Sequence, residues 1–474
     1  MSCFWSSGSS LVDFLVPPGW IAQDKGAMLI QLVYTVAALF LIWLLHYIVF
    51  RPLNRIRDLC ETGYKDLVRW DRYGRTKRQL ANEARRNKKV GDVPPVYPNG
   101  WFALCESDDV KNGHVLAVDA LGENMAVFRT EEGKACVLDA YCPHLGAHLG
   151  IGGRVVGDCI ECPFHGWQFN GNDGKCTSIP YSKGKVPSNA RVKKWPTHEV
   201  NGFIFVWYHA ESDKSLEPEW TVPELDEISS GRWRKSLEPE WTVPELDEIS
   251  SGRWRYRGRT EYKVNVHIQE IPENGADVAH LAYLHGPSIL FGSDLTAITR
   301  DDDRKTKSWA PLLHHHWEVG WKGPEPGSPD WHLAVTTIKH DLRLFGCIPF
   351  ILMDVEAKQI GPGLVHLTMG TSLGRCVLVQ TVTPVAPFTQ RVLHRLYTSP
   401  TVIAPYAKLI LWGEAIQFER DVAVWNHKTY IKNPLIVSED RTISRHRRWY
   451  QQFYSENSPR FETIIENQKG SIDW

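Results

Sequence analysis

The stretch CPHLGAHLGIGGRVVGDCIECPFHGWQF, residues 142–169, decides the fold prediction for this chain. It begins with the pair Cys142-x-His144. After seventeen intervening residues comes the pair Cys162-x-x-His165. Short β-rich runs alternate with turn signals around this stretch. We therefore predict a small β domain that carries four metal ligands, two thiolates and two imidazoles.

Thiolates together with imidazoles suit an iron–sulfur cluster or zinc. In a [2Fe–2S] cluster the two Cys would hold one iron and the two His the other, and the imidazoles would raise the reduction potential. Zinc modules usually pair like ligands, as C-x2-C or H-x3-H, so this spacing favours the cluster. A zinc knuckle with the same four ligands is the alternative. His148 and Cys159 fit neither pair, and we expect them to pack nearby.

A second metal site is indicated by HIQEIPENGADVAHLAYLHGPS, residues 267–288. His280 and His285 are five residues apart, about 500° around a helix, so slight unwinding would point both inward. Two His with one carboxylate form the ligand set of non-haem Fe(II) oxygenases and leave positions open for O₂. The alternative is a pair of surface histidines on an ordinary helix.

The third ligand must be an acid further along the chain. The candidates are Asp341, Asp354, Glu414, Glu419 and Asp421. On one helix Glu419 and Asp421 point apart by about 200°, so they cannot both face one metal. The run His314-His315-His316 is predicted to be a strand of mixed exposure, because neighbouring strand residues face opposite sides.

The 23 residues from Met28 to Phe50 carry no acidic or basic charge. As a helix they span about 34 Å, which predicts a membrane anchor. A signal peptide and a buried core helix are the alternatives. Residues 51–90 hold 13 Lys and Arg against 5 Asp and Glu, which predicts a cytosolic C-terminal bulk. This basic segment is a solvated linker helix, a contact with anionic head groups, or both.

The whole chain has 474 residues and a formal net charge of -1. That length predicts two or three domains, and the balanced charge argues against a nucleic-acid binder. No GxGxxG follows a strand and opens a helix, so a separate reductase is expected to supply electrons. Residues 214–234 are repeated without change as residues 235–255, and we expect one copy to pack and the other to loop out.

The first motif resembles the Rieske family in its Cys142-Pro143-His144 segment and in the segment CPFHGW that begins at Cys162. The pattern Asp277-x2-His280-x4-His285 is similar to the iron motif of Rieske oxygenases. The resemblance implies that Asp277 bridges the cluster of one subunit to the iron of its neighbour in a head-to-tail homotrimer. An ordinary carboxylate that orients His280 is the alternative. The segment FERDVAVWNHK, residues 418–428, looks like the matching helix of steroid-acting members, which selects Asp421.

Residues 418–456 resemble both 3-ketosteroid 9α-hydroxylases and the cholesterol 7-desaturase (Neverland) family, and the order of anchor, Rieske domain and catalytic domain is that of the latter. This resemblance implies an α+β fold with a helix-grip-like catalytic domain, and oxidation of cholesterol to 7-dehydrocholesterol by O₂. It also implies a mononuclear Fe(II), NAD(P)H used indirectly through the reductase, and the endoplasmic reticulum membrane. A steroid hydroxylase and a membrane-bound Rieske electron carrier are the competing hypotheses.

The expected organisation follows from these motifs. It comprises a lumenal segment 1–27, a transmembrane helix 28–50, a basic juxtamembrane linker 51–95, a Rieske domain 96–210, a linker with the duplication 211–255, and a catalytic domain 256–474.

Overall fold

The structure is a computed structural model that describes residues 25–64, 67, 71, 73–211, 241–299, 313–345 and 347–470. The chain divides into two compact units, residues 1–51 and residues 52–474. Most of the predicted lumenal segment and the first copy of the repeat lie outside the described residues.

The first unit contains one long helix, α1 (Lys25–Phe50). Within it, Leu29–Tyr47 has a mean hydropathy of 2.1 and none of it is buried against other parts of the chain. Its length and composition suit a single membrane crossing, as they would a signal sequence.

The second unit opens with β1 (Leu53–Arg57) and α2 (Lys77–Arg86) and continues into three small antiparallel sheets. The strands of these sheets are β2 (Gly100–Glu106), β3 (Val115–Ala120), β4 (Glu123–Arg129), β5 (Ala135–Asp139), β6 (Arg154–Val156), β7 (Cys159–Glu161), β8 (Gln168–Asn170), β9 (Cys176–Ser178), β10 (Thr197–Val200) and β11 (Phe203–Tyr208). They pair in the orders β10-β11-β2, β3-β4-β5 and β6-β7-β8-β9. This is the β domain that the cysteine–histidine motif predicts.

The remainder is an eight-stranded sheet with helices against it. Its further strands are β12 (Arg255–Val264), β13 (Leu313–Lys322), β14 (Leu333–Leu344), β15 (Ile348–Ile360), β16 (Leu364–Thr371), β17 (Gly374–Ala386) and β18 (Thr389–Thr398). The helices are α3 (Asp247–Ser250), α4 (Glu270–Glu273), α5 (Val278–His280), α6 (Leu295–Thr299), α7 (Ala404–Trp425), α8 (Arg441–Tyr450) and α9 (Phe461–Gly470). The strand order is β1-β12-β18-β17-β16-β15-β14-β13. The fold is therefore α+β, as expected.

Helix α7 packs across one face of this sheet. Phe418 of the helix lies against Tyr262 of β12, with ring centroids 4.9 Å apart. Along β12 and β14, more buried and more exposed side chains largely alternate. This is the pattern of a sheet with one covered face. The space between the sheet and α7 holds the second candidate metal site.

The β domain and the large sheet share a buried core. Phe102 and Val127 belong to the same cluster of buried apolar side chains as Tyr262 and Val422. Buried Glu106 of β2 also pairs with Arg259 and, at 3.2 Å, with Arg395 on the large sheet. The two regions predicted as separate domains therefore pack as one unit.

The segment predicted as a juxtamembrane linker is partly built into this unit. Strand β1 pairs in parallel with β12 at the sheet edge. Arg55 Nε donates to Glu419 Oε1 at 2.6 Å, and Lys88 Nζ donates to the Trp425 carbonyl at 2.8 Å. Two basic side chains of this segment thus bind buried acceptors. The pairing of β1 with β12 was not predicted, because a strand of five residues is too short to show a clear periodicity.

The described part of the second repeat copy also packs. Trp241 is buried and stacks on His332 with centroids 4.8 Å apart. Trp101 Nε1 donates to the Trp241 carbonyl at 2.5 Å. This region of the repeat belongs to the core, and the first copy lies outside the described residues.

We expect Glu419→Ala to lower the free energy of unfolding by about 2 kcal/mol. Removing one partner of a buried ion pair costs about 3–5 kcal/mol, and the partial exposure of Arg55 reduces that figure. Urea unfolding of the full chain in detergent would measure it. The control Glu318→Ala, on the exposed side of β13, should change stability by less than about 0.5 kcal/mol. Equal effects of the two substitutions would contradict the role of this pair.

Candidate metal centres

Two loops of the β domain repeat one backbone pattern. In the first, the Cys142 N–H donates to the Ala147 carbonyl at 2.9 Å and the Gly146 N–H donates to the Cys142 carbonyl at 2.9 Å. In the second, Cys162 N–H donates to the Trp167 carbonyl at 2.8 Å and Gly166 N–H to the Cys162 carbonyl at 3.1 Å. Gly146 and Gly166 have φ of +73° and +71°, which a residue with a side chain would adopt only with strain. Each loop is therefore a closed turn that presents one Cys and one His.

The four predicted cluster ligands meet between these loops. The rings of His144 and His165 have centroids 4.7 Å apart, and His144 stacks on Trp167 at 4.7 Å. Nδ1 of His144 is buried and has no hydrogen-bond partner among the described residues. An orphaned imidazole nitrogen of this kind is what a metal ion would satisfy.

The two cysteines are buried next to one another. Burial, together with the neighbouring Cys162 thiol, raises the pKa of Cys142 to about 11, while the backbone N–H groups of His144 and Leu145 oppose the shift. Metal binding must displace this proton, since a thiolate is the ligand. The same N–H groups would then hydrogen-bond a coordinated sulfur. The donor set fits a [2Fe–2S] cluster with two Cys and two His.

The second centre starts from α5 and the turn that follows it. Leu281–His285 forms a single π-helical turn, which is the unwinding predicted for two histidines five residues apart. The rings of His280 and His285 are 5.0 Å apart. Nδ1 of His280 bonds to the backbone carbonyl of Asp277, which leaves Nε2 for a metal.

His285 is oriented by two residues of α7. Its Nδ1 lies 2.9 Å from Gln417 Oε1, and its Nε2 lies 3.0 Å from Asp421 Oδ1. The Gln417 Nε2 also donates to the His285 carbonyl at 3.2 Å. Ring nitrogen Nδ1 therefore carries the proton, and Nε2 faces the carboxylate.

The structure brings His280, His285 and Asp421 together. One ligand atom from each lies within 4.8 Å of the others, and His285 and Asp421 are buried. Two imidazoles and a carboxylate fit a mononuclear Fe(II) with open positions. The geometry supports Asp421 as the third ligand.

The other acids considered for this role lie elsewhere. Glu419 faces Arg55, on the opposite side of α7 from Asp421. Asp341 pairs with Arg343, and Asp354 is exposed, because on β14 and β15 the alternate residues face the cavity. Glu414 lines the same cavity as the triad but is not part of the three-ligand group.

Arg420 holds the histidine segment against α7. Its guanidinium is fully buried and donates to the carbonyls of Leu284, Pro287, Ser288 and Gly292 at 2.8–3.1 Å. It also donates to Gln417 Oε1 at 3.0 Å. One side chain thus fixes the backbone in and after the π turn, and also the amide that orients His285.

Asp277 caps α5. Its carboxylate accepts from the His280 N–H at 3.3 Å, and the residue is half-buried. The side chain therefore lies next to the iron histidines and reaches the surface of the unit.

A cavity of about 370 Å³ opens from the triad between the sheet and α7. Its wall is mostly apolar and includes Ile338, Leu342, Ile351, Met353, Val355 and Leu367. Pockets of this size and character hold small apolar molecules. The consecutive histidines of β13 differ in exposure, as the sequence predicts. His315 is buried and lines the cavity, His316 is exposed, and the side chain of His314 is not described.

Gln417 and Arg420 were not found from the sequence. Gln417 lies four residues before Asp421, so helical spacing places it on the same face, which is the signal that could have indicated it. The role of Arg420 depends on a backbone segment more than a hundred residues away in the chain, and no local pattern indicates it.

Comparison with known proteins agrees with this arrangement. Residues 100–196 match the family model of the Rieske [2Fe-2S] domain, and residues 206–454 match that of the 3-Ketosteroid 9alpha-hydroxylase C-terminal domain. Cholesterol 7-desaturase nvd of Xenopus laevis is 46% identical over 428 residues, covering 90% of this chain and 84% of that protein. Cholesterol 7-desaturase nvd of Drosophila melanogaster is 38% identical over 445 residues, covering 91% of this chain and 92% of that protein.

More distant proteins share the architecture. A probable 3-ketosteroid-9-alpha-monooxygenase, oxygenase component, of Rhodococcus rhodochrous is 30% identical, with 82% of this chain and 90% of that protein covered. The crystal structure of dicamba monooxygenase bound to 3,6 dichlorosalicylic acid superposes with a TM-score of 0.54 at 15% identity, covering 76% of this chain and 98% of that one. At this identity the likeness is one of fold.

We expect Gln417→Leu to weaken mononuclear iron binding by about 10- to 100-fold, since His285 loses the acceptor that fixes its ring. Titration with Fe(II) of protein that keeps its cluster but has lost its mononuclear iron would measure this, and the paramagnetic signal of the reduced [2Fe–2S] cluster should be unchanged. Gln380→Leu, in the same cavity but away from the ligands, should bind iron normally. Equal affinities in the two variants would show that Gln417 does not orient the ligand.

Proposed function

The chain belongs to the cholesterol 7-desaturase family of Rieske oxygenases, and on that premise we propose that it converts cholesterol to 7-dehydrocholesterol for steroid hormone biosynthesis. The observation that carries this proposal is the His280, His285 and Asp421 triad at the wall of a largely apolar cavity. Cholesterol, O₂, two electrons and two protons give 7-dehydrocholesterol and two molecules of water.

The residues of this chain divide the work between two metal groups. Cys142, His144, Cys162 and His165 would hold the [2Fe–2S] cluster, and His280, His285 and Asp421 would hold the iron. When bound, these groups supply electron transfer and the activation of O₂.

The protein around the iron sets the geometry of the reaction. The Asp277 carbonyl and Gln417 keep a proton on Nδ1 of His280 and His285, so that Nε2 of each faces the metal. The apolar wall excludes water and positions the substrate. Loss of two hydrogens from the substrate gives the alkene, whereas insertion of one oxygen atom would give an alcohol, so the pose of the substrate decides the product.

Electrons come from a separate reductase that uses NAD(P)H. The relative in Rhodococcus is named an oxygenase component, which implies a second protein. The matches to family models cover a Rieske domain and a catalytic domain. We therefore expect the reductase to deliver its electrons to the cluster of the Rieske domain.

The protein assembles as a head-to-tail homotrimer in which Asp277 bridges a cluster histidine of one subunit to His280 of the next. Large apolar side chains are exposed around the cluster: Tyr141, Leu145, Ile151, Phe164 and Tyr181 are each more than half exposed. Tyr283, between the iron histidines in sequence, is 81% exposed. Exposed apolar groups beside both centres support a contact between them across subunits.

Helix α1 anchors the enzyme in the endoplasmic reticulum membrane, with the catalytic unit in the cytosol. The excess of Lys and Arg directly after the helix supports this orientation. A sterol dissolves in the bilayer, so an anchored enzyme meets its substrate where it is concentrated.

A steroid hydroxylase is the second candidate, because residues 206–454 match the C-terminal domain of 3-ketosteroid 9α-hydroxylases. The proposal of a pure electron carrier does not explain why a His₂–carboxylate group lines the cavity.

Cells that express the protein and receive cholesterol labelled in its side chain should form labelled 7-dehydrocholesterol, detected by mass spectrometry. His285→Ala should abolish the product, because the iron loses a ligand. A labelled alcohol without any diene would favour the hydroxylase, and oxidation by the His285→Ala variant would favour the carrier.

Co-expression of Cys162→Ser and His285→Ala subunits should restore activity. In a trimer that passes electrons to the neighbouring subunit, random mixing leaves about a quarter of the irons intact and fed by an intact cluster. Each variant alone should be inactive. If electrons remain within one subunit, the mixture should be as inactive as the single variants.

A further inference from the structure

Glu414 lies on the cavity face of α7, at the far side of the cavity from the iron ligand on the same helix. It precedes Asp421 by seven residues, which places the two carboxylates on one helix face about 10 Å apart along the axis. Both line the cavity, with Gln417 between them. The cavity therefore has a charged group at each end of this helix face, and only one of them belongs to the triad.

The surroundings of Glu414 leave its charge incompletely satisfied. Its Oε2 is buried and accepts no hydrogen bond from any described residue. Nδ1 of fully buried His394 lies 3.5 Å from that oxygen and 3.0 Å from Thr260 Oγ1. Oε2 faces His394 and is closed off from the cavity, while the 26% of the Glu414 side chain that stays exposed lines the cavity. A carboxylate on an apolar wall is costly unless something donates to it, so this exposed part of Glu414 calls for a ligand with a hydrogen-bond donor.

We infer that Glu414 accepts a hydrogen bond from the 3-hydroxyl group of the sterol and thereby sets its position over the iron. This inference rests on the proposed function and deepens it. An ionised carboxylate only accepts hydrogen bonds, and a hydroxyl group can donate one. A 3-ketone has no proton to donate, so Glu414 selects sterols against 3-ketosteroids.

The length of the substrate agrees with this position. Five covalent bonds separate the 3-hydroxyl oxygen of cholesterol from C7, a span of about 6 Å. A reacting carbon lies about 3 Å from its reaction partner at the metal. Together these two lengths are close to the separation of about 10 Å between Glu414 and Asp421 along the helix axis. With the hydroxyl group at Glu414, C7 therefore comes within reach of the His280, His285 and Asp421 site. The remaining rings lie against the apolar wall of the sheet.

Gln380 supports the polar end of the cavity. It lines the cavity and is paired with His394 across β17 and β18, so the two side chains share one face of the sheet. Its amide can accept from or donate to the same hydroxyl group, but it does not discriminate a hydroxyl from a ketone. The discrimination is assigned to Glu414 alone.

Competition binding tests the inference without turnover. Tritiated cholesterol is bound to the full chain in detergent micelles and displaced by cholesterol, by the 3-ketone cholest-5-en-3-one, and by the 3-deoxy sterol cholest-5-ene. The wild-type protein should prefer cholesterol to the ketone by about 100-fold, as expected where a buried polar group loses its partner. In Glu414→Gln the preference should fall to within a few fold, because an amide also donates. Glu414→Leu should bind the 3-deoxy sterol better than cholesterol.

Glu318→Gln is the matched control, since it removes a carboxylate from an exposed part of β13, and it should keep the wild-type preference. Iron content and the thermal midpoint of each variant establish that it is folded. Even if a variant does not fold, the three competitors on the wild-type protein test the preference for the 3-hydroxyl group. Product analysis accompanies the binding. If the wild-type protein binds sterol and forms the diene, but Glu414→Gln keeps the full preference for the hydroxyl group, the role of Glu414 is overturned and the proposed function stands. A wild-type protein that forms no diene would overturn the proposed function.

Discussion

The buried guanidinium of Arg420 is the interaction on which the catalytic half depends. A cation without water is tolerated only when its donors are paired, and here the donors meet four backbone carbonyls and the amide of Gln417. The carbonyls belong to residues 284–292, from within the π turn to the segment that follows it. The histidine segment and α7 therefore form one body, and His285 and Asp421 keep their relation because a single side chain joins their supports.

The two metal centres differ in how far they can be predicted from sequence. The cluster ligands lie in one short stretch whose spacing and glycines describe two closed loops, so local chemistry was sufficient to propose them. The iron site joins residues 280–285 to residue 421, and the residues alone left five acids as candidates. Only a family resemblance selected Asp421, since the register of α7 against the π turn is a property of the packed core. The same limit applied to Gln417, to Arg420, and to β1 at the sheet edge.

The sheet explains why several chemically suitable residues do not serve the iron. Strand alternation sends Asp341 and Asp354 away from the cavity, and the turn of α7 sends Glu419 toward Arg55. What remains facing inward is apolar apart from a few groups, of which Glu414, Gln417 and Asp421 follow one stripe of the helix. A single helix face thus carries the iron ligand, its supporting amide, and a carboxylate for the distant end of a substrate.

The twin loops of the β domain are each closed by their own backbone hydrogen bonds and positive-φ glycine. These bonds restrict the conformations open to each loop and so reduce the entropy cost of holding its Cys and His in place. Each ligand pair therefore depends on the closure of its own loop, so a side chain at either glycine should loosen the hold on the cluster although all four ligands remain.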